Sequence, residues 1–132
     1  MVVFPNAKIN LGLEVLRKRE DGFHDIDSVF LPIPLYDVLE LIPDKQLRKD
    51  VWHFSGLHIS GRPTDNLCCR ALNLLRDNSD VPKLNIFLHK VIPMGAGLGG
   101  GSSDGSFLIK ALNEKCQLNL SEQEMEEMAL QL

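Results

Sequence analysis

The chain has 132 residues, of which 44% are hydrophobic and 24% charged, which fits one compact domain, or half of a larger one, and excludes intrinsic disorder. Its net charge of −4 gives no overall attraction to nucleic acid or an anionic membrane, so any bound anion needs a local site. Three cysteines, two of them adjacent, favour neither a disulfide framework nor a metal site. Because the sequence has no secretory signal and no apolar run of roughly 20 residues, we expect a cytoplasmic protein.

The first predicted element is a half-buried strand from Ala7 to Val15, in which apolar or small residues alternate with polar ones. The pair Asp21–Gly22 supplies turn chemistry before a second strand, roughly Ile26 to Ile33, so a hairpin is the simplest connection. Pro32 and Pro34 are expected to end this second strand, because proline cannot donate a hydrogen bond to a neighbouring strand.

Four more strands are predicted further along the chain. Three are short, at 38–42, at 52–54 and at 57–60, with glycines at 56 and 61 as breaks. The fourth reads KLNIFLHKVI from 83 to 92 and leads directly into a glycine-rich segment.

Helical spacing of apolar residues predicts three helices. The first covers 63–77, behind the candidate N-caps Thr64 and Asp65. The second runs from the glycine-rich segment to about Cys116, and the third opens at Ser121 with the capping box S-x-x-E. The last helix carries no glycine, proline or basic residue at its end, so we expect the chain to be the N-terminal part of a longer protein.

The glycine-rich segment reads PMGAGLGGGSSDG from 93 to 105. Between a strand and a helix, its bare amides and the positive end of the helix dipole suit a phosphate, and glycine lets oxygens approach without a Cβ in the way. Ser102 and Ser103 follow at the helix start, where a hydroxyl caps the helix, binds a phosphate oxygen or ligates the Mg²⁺ of a nucleotide. We predict a phosphate site rather than a flexible linker, because the flanking segments are an apolar strand and an amphipathic helix.

Two general phosphate motifs fit this segment incompletely. Gly95, Gly97 and Gly100 satisfy G-x-G-x-x-G, but the acidic residues about 20 positions on lie on predicted helices rather than at a strand end. The Walker spacing fits from Gly95 to Ser102, except that Gly101 occupies the position of the essential lysine. Neither motif therefore explains the segment.

The stretch PMGAGLGGGSSDGS resembles the ATP-binding loop of the GHMP kinases, whose pattern is P-x-x-x-G-L-G-S-S or the longer G-L-G-G-G-S-S. NAKINLGLEV at 6–15 and DGFHDIDSVF at 21–30 resemble the members that act in the non-mevalonate isoprenoid pathway. The resemblance implies an α+β fold, the GHMP kinase N-terminal domain. In this fold a mostly antiparallel sheet carries helices on one face and includes a left-handed βαβ unit.

The resemblance also implies the reaction: ATP-dependent phosphorylation of the 2-hydroxyl of 4-diphosphocytidyl-2-C-methyl-D-erythritol, with Mg²⁺. It makes Lys8 the catalytic lysine beside the reacting hydroxyl. Asn10 lies on the same face of the strand, about 7 Å away. Phe23 would stack on the cytosine and His24 would hydrogen-bond to it, although the family more often has tyrosine at the position of Phe23.

ATP is expected to bind along the glycine-rich segment. Asn66 is a further expected contact, near the adenine or ribose, although helix capping explains this stretch equally well. Lys90 either adds charge near the phosphates or faces water, and Asp104 either ligates Mg²⁺ or favours the helix N-terminus. No residue is assigned as a metal ligand; Ser102 and Ser103 are the candidates, through Mg-ATP. The expected contacts in the segment are Pro93, Met94, Gly95, Ala96, Gly97, Leu98, Gly99, Gly100, Gly101, Ser102 and Ser103.

No acid in the chain matches the catalytic aspartate of the superfamily, which lies after a helix equivalent to the one beginning near Ser121. We therefore expect residues 1–132 to be the ATP-binding domain, truncated before that aspartate and before the C-terminal GHMP domain, and inactive or nearly so alone. The alternatives are another GHMP small-molecule kinase and a non-catalytic nucleotide-binding module. The expected partners are ATP and a cytidine diphosphate substrate, without nucleic acid or membrane; the oligomeric state stays open.

Overall fold

The computed structural model describes residues 1–59, 61–62 and 65–132, which form six strands and three helices. The strands are β1 (Val2–Val3), β2 (Asn6–Lys18), β3 (His24–Tyr36), β4 (Val38–Pro43), β5 (Val51–Gly56) and β6 (Leu84–Lys90). The helices are α1 (Leu67–Asn78), α2 (Gly100–Cys116) and α3 (Glu122–Ala129).

Strands β2 and β3 form an antiparallel two-stranded sheet, which confirms the predicted hairpin. In its turn, the backbone amide of Phe23 donates to the Asp21 carboxylate at 3.0 Å, and Gly22 has φ +90°. The prediction that Pro32 and Pro34 end the second strand is wrong, since β3 continues to Tyr36. In the described part of the chain β3 pairs with β2 alone, so both prolines can turn the side without an N–H towards the unpaired edge.

The other strands form a mixed sheet in the order β1-β4-β6-β5, with two antiparallel pairings and a parallel one between β5 and β6. It confirms the strands predicted at 38–42, 52–54 and 83–92, with small changes at their ends. The strand predicted at 57–60 is wrong for 57–59, and Ser60 lies outside the described residues. The chain leaves the sheet here because Gly56, with φ +80°, turns it away where β6 ends. The hand of the β5–α1–β6 connection stays a prediction.

The core lies between this mixed sheet and the helices. Alternate residues of β4 and β6 are buried against apolar residues of all three helices, which confirms that the helices cover one face. The hairpin, in contrast, is exposed along all of β2 beyond Asn10. None of the described helices combines the length and the apolar character needed to cross a membrane. The buried sheet residues are Leu39, Leu41, Leu84, Ile86 and Leu88.

Two of the three helices begin where the sequence predicts. Helix α3 has the predicted capping box between Ser121 and Glu124, and α2 starts inside the glycine-rich segment. For α1 the N-cap is Asn66, whose side-chain oxygen accepts from the Cys68 amide at 2.8 Å. Asp65 is therefore not the cap, and Thr64 lies outside the described residues.

Arg76 connects the end of α1 to the starts of β5 and β6. Its guanidinium pairs with the half-buried Asp50 and donates to the carbonyl oxygens of Val81 and Pro82, at 3.2 and 2.7 Å. The Asp50 carboxylate also accepts from the Leu84 amide at 3.0 Å. Burial by itself would raise the pKa of Asp50, but the hydrogen bonds from Arg76 and Leu84 and the Arg76 charge outweigh it, so the pKa lies below its ordinary value.

We expect Asp50→Asn to lower the free energy of unfolding at pH 7 by about 1.5–3 kcal/mol, the range for hydrogen bonds to charged groups. Because the pKa of Asp50 is depressed in the folded state, its contribution is present above the unfolded pKa of about 3.9 and is lost as pH falls through the folded pKa. Urea unfolding between pH 3 and pH 7 measures this, with the exposed Asp77→Asn on α1 as the control. If Asp50→Asn lowered the free energy of unfolding equally at pH 3 and pH 7, the depressed pKa of Asp50 would be contradicted.

Candidate functional site

The segment between β6 and α2 needs its glycines for backbone conformation. Gly95, Gly97 and Gly99 have φ of +70°, +73° and +71°, in the left-handed region that costs other residues roughly 1–2 kcal/mol. A Cβ at Gly95 or Gly97 would meet nothing within 4 Å, so conformation rather than space requires glycine at those two positions. Gly99 is also the N-cap of α2.

Gly99 and Gly100 also allow close approach. A Cβ on Gly99 would lie 3.2 Å from Cε of Lys8, and one on Gly100 would lie 2.7 Å from Cγ2 of Ile92. Real Cβ atoms essentially never make contacts below 3.0 Å, so a side chain at position 100 would force Ile92 to shift. The missing side chain at Gly99 lets Lys8 lie directly against the loop.

Lys8 on β2 is bound to this loop at two points. Its backbone amide donates to the carbonyl oxygen of Leu98 at 3.0 Å, and its Nζ donates to that of Gly97 at 2.8 Å. Nζ also donates to Oδ1 of Asn10 and lies 5.1 Å from the ring centroid of Phe30. The structure therefore brings Lys8, Asn10 and the glycine loop together.

A cavity of about 330 Å³ opens beside the loop, between the starts of α1 and α2. Asn66 lines it together with most of the residues predicted to contact ATP. The two predicted contacts that do not line it are Ala96 and Ser103. Lys90 and Asp104 also lie in its wall.

Backbone donors at the start of α2 make this cavity suitable for an anion. The amides of the first helical positions have no partner within a helix, whereas the Ser103 amide already donates to the Gly99 carbonyl at 2.9 Å. The positive end of the dipole of α2 lies at the same point. The exposed hydroxyl of Ser102 adds a group that donates or accepts. These groups can hold a phosphate without a Walker lysine.

Phe23 and His24 lie at the far end of the hairpin. His24 pairs with Lys18, and the Phe23 side chain is 68% exposed. Lys18 is ten residues along β2 from Lys8, which for an extended strand is at most about 33 Å. Neither residue lines the loop cavity. The roles assigned to them stay predictions.

Lys90 and Asp104 lie in a buried cluster that the sequence did not reveal. The Lys90 ammonium binds the carboxylates of Asp37 and Asp104, the latter at 2.6 Å. Lys90 is 3% exposed, so the prediction of a lysine that faces water is wrong. The interpretation of Asp104 as an ordinary first-turn acid is also wrong, because it is buried on that ammonium.

Burial, and then the neighbouring Asp37, raise the pKa of Asp104 to about 7, although the hydrogen bond and charge of Lys90 act in the opposite direction. Asp37 was missed altogether. The only available signal was an acid directly before the apolar strand β4. In the described part of the chain, no group of three or more His, Cys, Asp or Glu residues could hold a metal ion.

Comparison with known proteins bears directly on this site, because residues 66–132, which contain the loop, Asn66 and Asp104, match the family model described as the GHMP kinases N terminal domain. The chain belongs to the GHMP kinase family. The predicted α+β fold of a GHMP N-terminal domain is confirmed by this match together with the solved structure described next.

Two curated proteins that are similar to this chain have the same name. A protein of Bacteroides fragilis is 52% identical over 130 residues, covering 98% of this chain and 47% of the relative. One of Cytophaga hutchinsonii is 51% identical over 127 residues, covering 96% and 46%. Both are named 4-diphosphocytidyl-2-C-methyl-D-erythritol kinase.

A crystal structure of 4-(cytidine 5'-diphospho)-2C-methyl-D-erythritol kinase is also similar, with a TM-score of 0.75 and 34% identity. The match covers 98% of this chain and 46% of that one. The chain therefore spans about half the length of the curated GHMP kinases that it matches.

Proposed function

We propose that residues 1–132 are the ATP-binding domain of a cytoplasmic kinase that phosphorylates the 2-hydroxyl of 4-diphosphocytidyl-2-C-methyl-D-erythritol in the non-mevalonate isoprenoid pathway. The observation that carries the proposal is the 2.8 Å hydrogen bond from Lys8 Nζ to Gly97 O, which brings an ammonium to the edge of a phosphate site. The names of the relatives support the substrate.

The loop, Lys8 and Asn10 each have a role in phosphoryl transfer, a reaction that depends on positioning and charge stabilisation more than on covalent chemistry. The amides of the loop and of the first turn of α2 bind the phosphates. Lys8 gives up the Gly97 carbonyl for the transferring phosphoryl group and stabilises the charge that develops there. Asn10 holds the ammonium during this exchange, since it accepts from the same Nζ.

The two remaining assignments concern the metal ion and the cytosine of the substrate. Mg²⁺ held with ATP would neutralise phosphate charge, and it would need few protein ligands beside the phosphates. The hydroxyl of Ser102, in the cavity wall, is an oxygen donor of the kind that Mg²⁺ accepts. Phe23 and His24, exposed at the tip of the hairpin, offer a stacking face and a hydrogen-bonding ring to the cytosine.

A chimera tests the proposal: this chain replaces the matching segment of the Bacteroides fragilis relative. We expect the chimera to form ADP only when the cytidine substrate is present, at a kcat within about tenfold of the parent, a barrier change of no more than about 1.4 kcal/mol. Mevalonate and homoserine serve as control acceptors. A folded chimera that prefers either of them, or that phosphorylates none of the three, would refute the proposal.

A further inference from the structure

The buried cluster of Asp37, Lys90 and Asp104 has no part in the reaction described above. We infer that Lys90, held between the two carboxylates, is a positioning residue that fixes the closed shape of the glycine loop and does not itself bind phosphate. The inference rests on the proposed function in so far as it takes this loop to be the phosphate site.

The cluster joins the two ends of the loop. Lys90 is the last residue of β6, where the chain enters segment 91–99, and Asp104 lies on α2 just after the chain leaves that segment. The ammonium of Lys90 is 2.6 Å from Oδ2 of Asp104, and the two side chains are only 3% and 5% exposed. A buried, charge-assisted hydrogen bond therefore closes the loop at its base.

Asp37 fixes the path of the chain into the loop. One of its oxygens binds the Lys90 ammonium. The other accepts from the backbone amides of Val91 and Ile92 at 2.6 and 2.9 Å. Ile92 in turn touches the start of α2, where a Cβ on Gly100 would lie 2.7 Å from its Cγ2. The direction of β6, the first loop residues and the first turn of α2 thus depend on one ammonium and two carboxylates.

The charges of the cluster argue against phosphate binding by Lys90. The Asp37 carboxylate alone balances the Lys90 ammonium, and Asp104 adds a second acidic group beside it, so Lys90 has no surplus positive charge to offer an anion in the cavity. In the part of the chain that the structure describes, Oδ1 of Asp104 is the one buried side-chain oxygen or nitrogen without a hydrogen-bond partner. Such an oxygen destabilises the fold, and the inference accounts for it, because the other oxygen of the same carboxylate closes the loop.

Asp104→Asn in the full 132-residue chain tests the inference without any ligand. Asparagine keeps the shape of the side chain and leaves the Lys90–Asp37 pair intact. We expect amide hydrogen exchange in peptides covering 91–103 to become at least about tenfold faster, as local opening does without global unfolding, while β4 and α3 keep their rates. Asp77→Asn on the exposed face of α1 is the matched control. Equal acceleration in all elements, or no change in 91–103, would overturn the inference.

If Asp104→Asn does not fold, Lys90→Arg provides the same test. It keeps the charge and both carboxylates, but its planar donors cannot reproduce the ammonium geometry. Faster exchange confined to 91–103 supports the inference, and unchanged or uniformly faster exchange overturns it.

Binding of inorganic tripolyphosphate and of adenosine gives a second readout. A purely electrostatic role of Asp104 and a positioning role predict opposite results in it. At pH 8, above the pKa of about 7 of Asp104, removal of its carboxylate near an anion site should tighten tripolyphosphate binding if Asp104 acts through its charge alone. A positioning role predicts that Asp104→Asn weakens it by about tenfold, one decade in the dissociation constant, and leaves adenosine binding unchanged. Tighter binding overturns the inference. If the wild-type chain binds neither probe, the proposed function fails, and the exchange experiment still decides the inference.

Discussion

Replacing Lys8 by methionine in the chimera is expected to lower kcat at least about 100-fold, the usual effect of removing one preorganised donor from a developing charge. Methionine keeps an unbranched stem against Gly99 and Phe30, so packing at the loop is retained while the ammonium is lost. Because the loop amides still hold the phosphates, the dissociation constant of ATP should change by less than about threefold. Steady-state kinetics and calorimetric titration with ATP measure the two quantities.

Lys110→Met is the control for this experiment. Lys110 lies exposed on α2, and its replacement removes the same charge from the domain without touching the loop. Both kcat and the ATP dissociation constant should stay at the level of the unsubstituted chimera. If Lys8→Met raised the ATP dissociation constant and left kcat unchanged, Lys8 would serve nucleotide binding alone, and its catalytic role would be wrong.

The substitution Gly56→Ala is expected to destabilise the domain by about 3 kcal/mol or more, through the sum of overpacking and left-handed strain. A Cβ at this position would lie 2.1 Å from the carbonyl oxygen of Lys90. That oxygen cannot move aside, since it belongs to the backbone of β6 and accepts from the Leu57 amide at 2.9 Å. Urea unfolding of the 132-residue chain measures the loss.

Gly22→Ala separates strain from crowding. Gly22 also has a positive φ, +90°, but a Cβ there would meet nothing within 4 Å, so the expected cost is only the roughly 1–2 kcal/mol of the left-handed conformation. Equal losses for the two variants would mean that the contact between Gly56 and Lys90 contributes nothing. Since Lys90 also bears the ammonium that closes the loop, the Gly56 variant should in addition weaken tripolyphosphate binding.

The sequence predicted the elements that depend on local periodicity and capping. Alternation along 7–15 and the Asp21–Gly22 turn were sufficient for the hairpin, and S-x-x-E was sufficient for the N-terminus of α3. The candidate phosphate site was predicted from glycines between a strand and a helix, and the lysine beside it was predicted from the resemblance. Both are local in sequence or belong to a recurring motif.

Features that depend on distant residues, or on the exact backbone conformation of one residue, could not be predicted. Whether Pro34 ends a strand depends on whether its edge is paired, and that is a property of the sheet topology. Asn66 rather than Asp65 caps α1 because Asn66 has the extended backbone conformation directly before the first helical residue. The Asp37–Lys90 pair joins residues 53 positions apart, and no local pattern distinguishes a buried ion pair from two surface charges.

Asn66 restricts which atoms a molecule in the cavity can present to it. Its side-chain oxygen already accepts from the Cys68 amide at the start of α1, so two N–H donors and one lone pair of the amide remain for a ligand. The NH₂ group therefore favours a lone pair on the ligand, such as that of a ring nitrogen or a sugar oxygen. Aspartate at this position would still cap α1 but would offer a ligand only lone pairs. The capping of the helix and the contact with a ligand could therefore be tested separately.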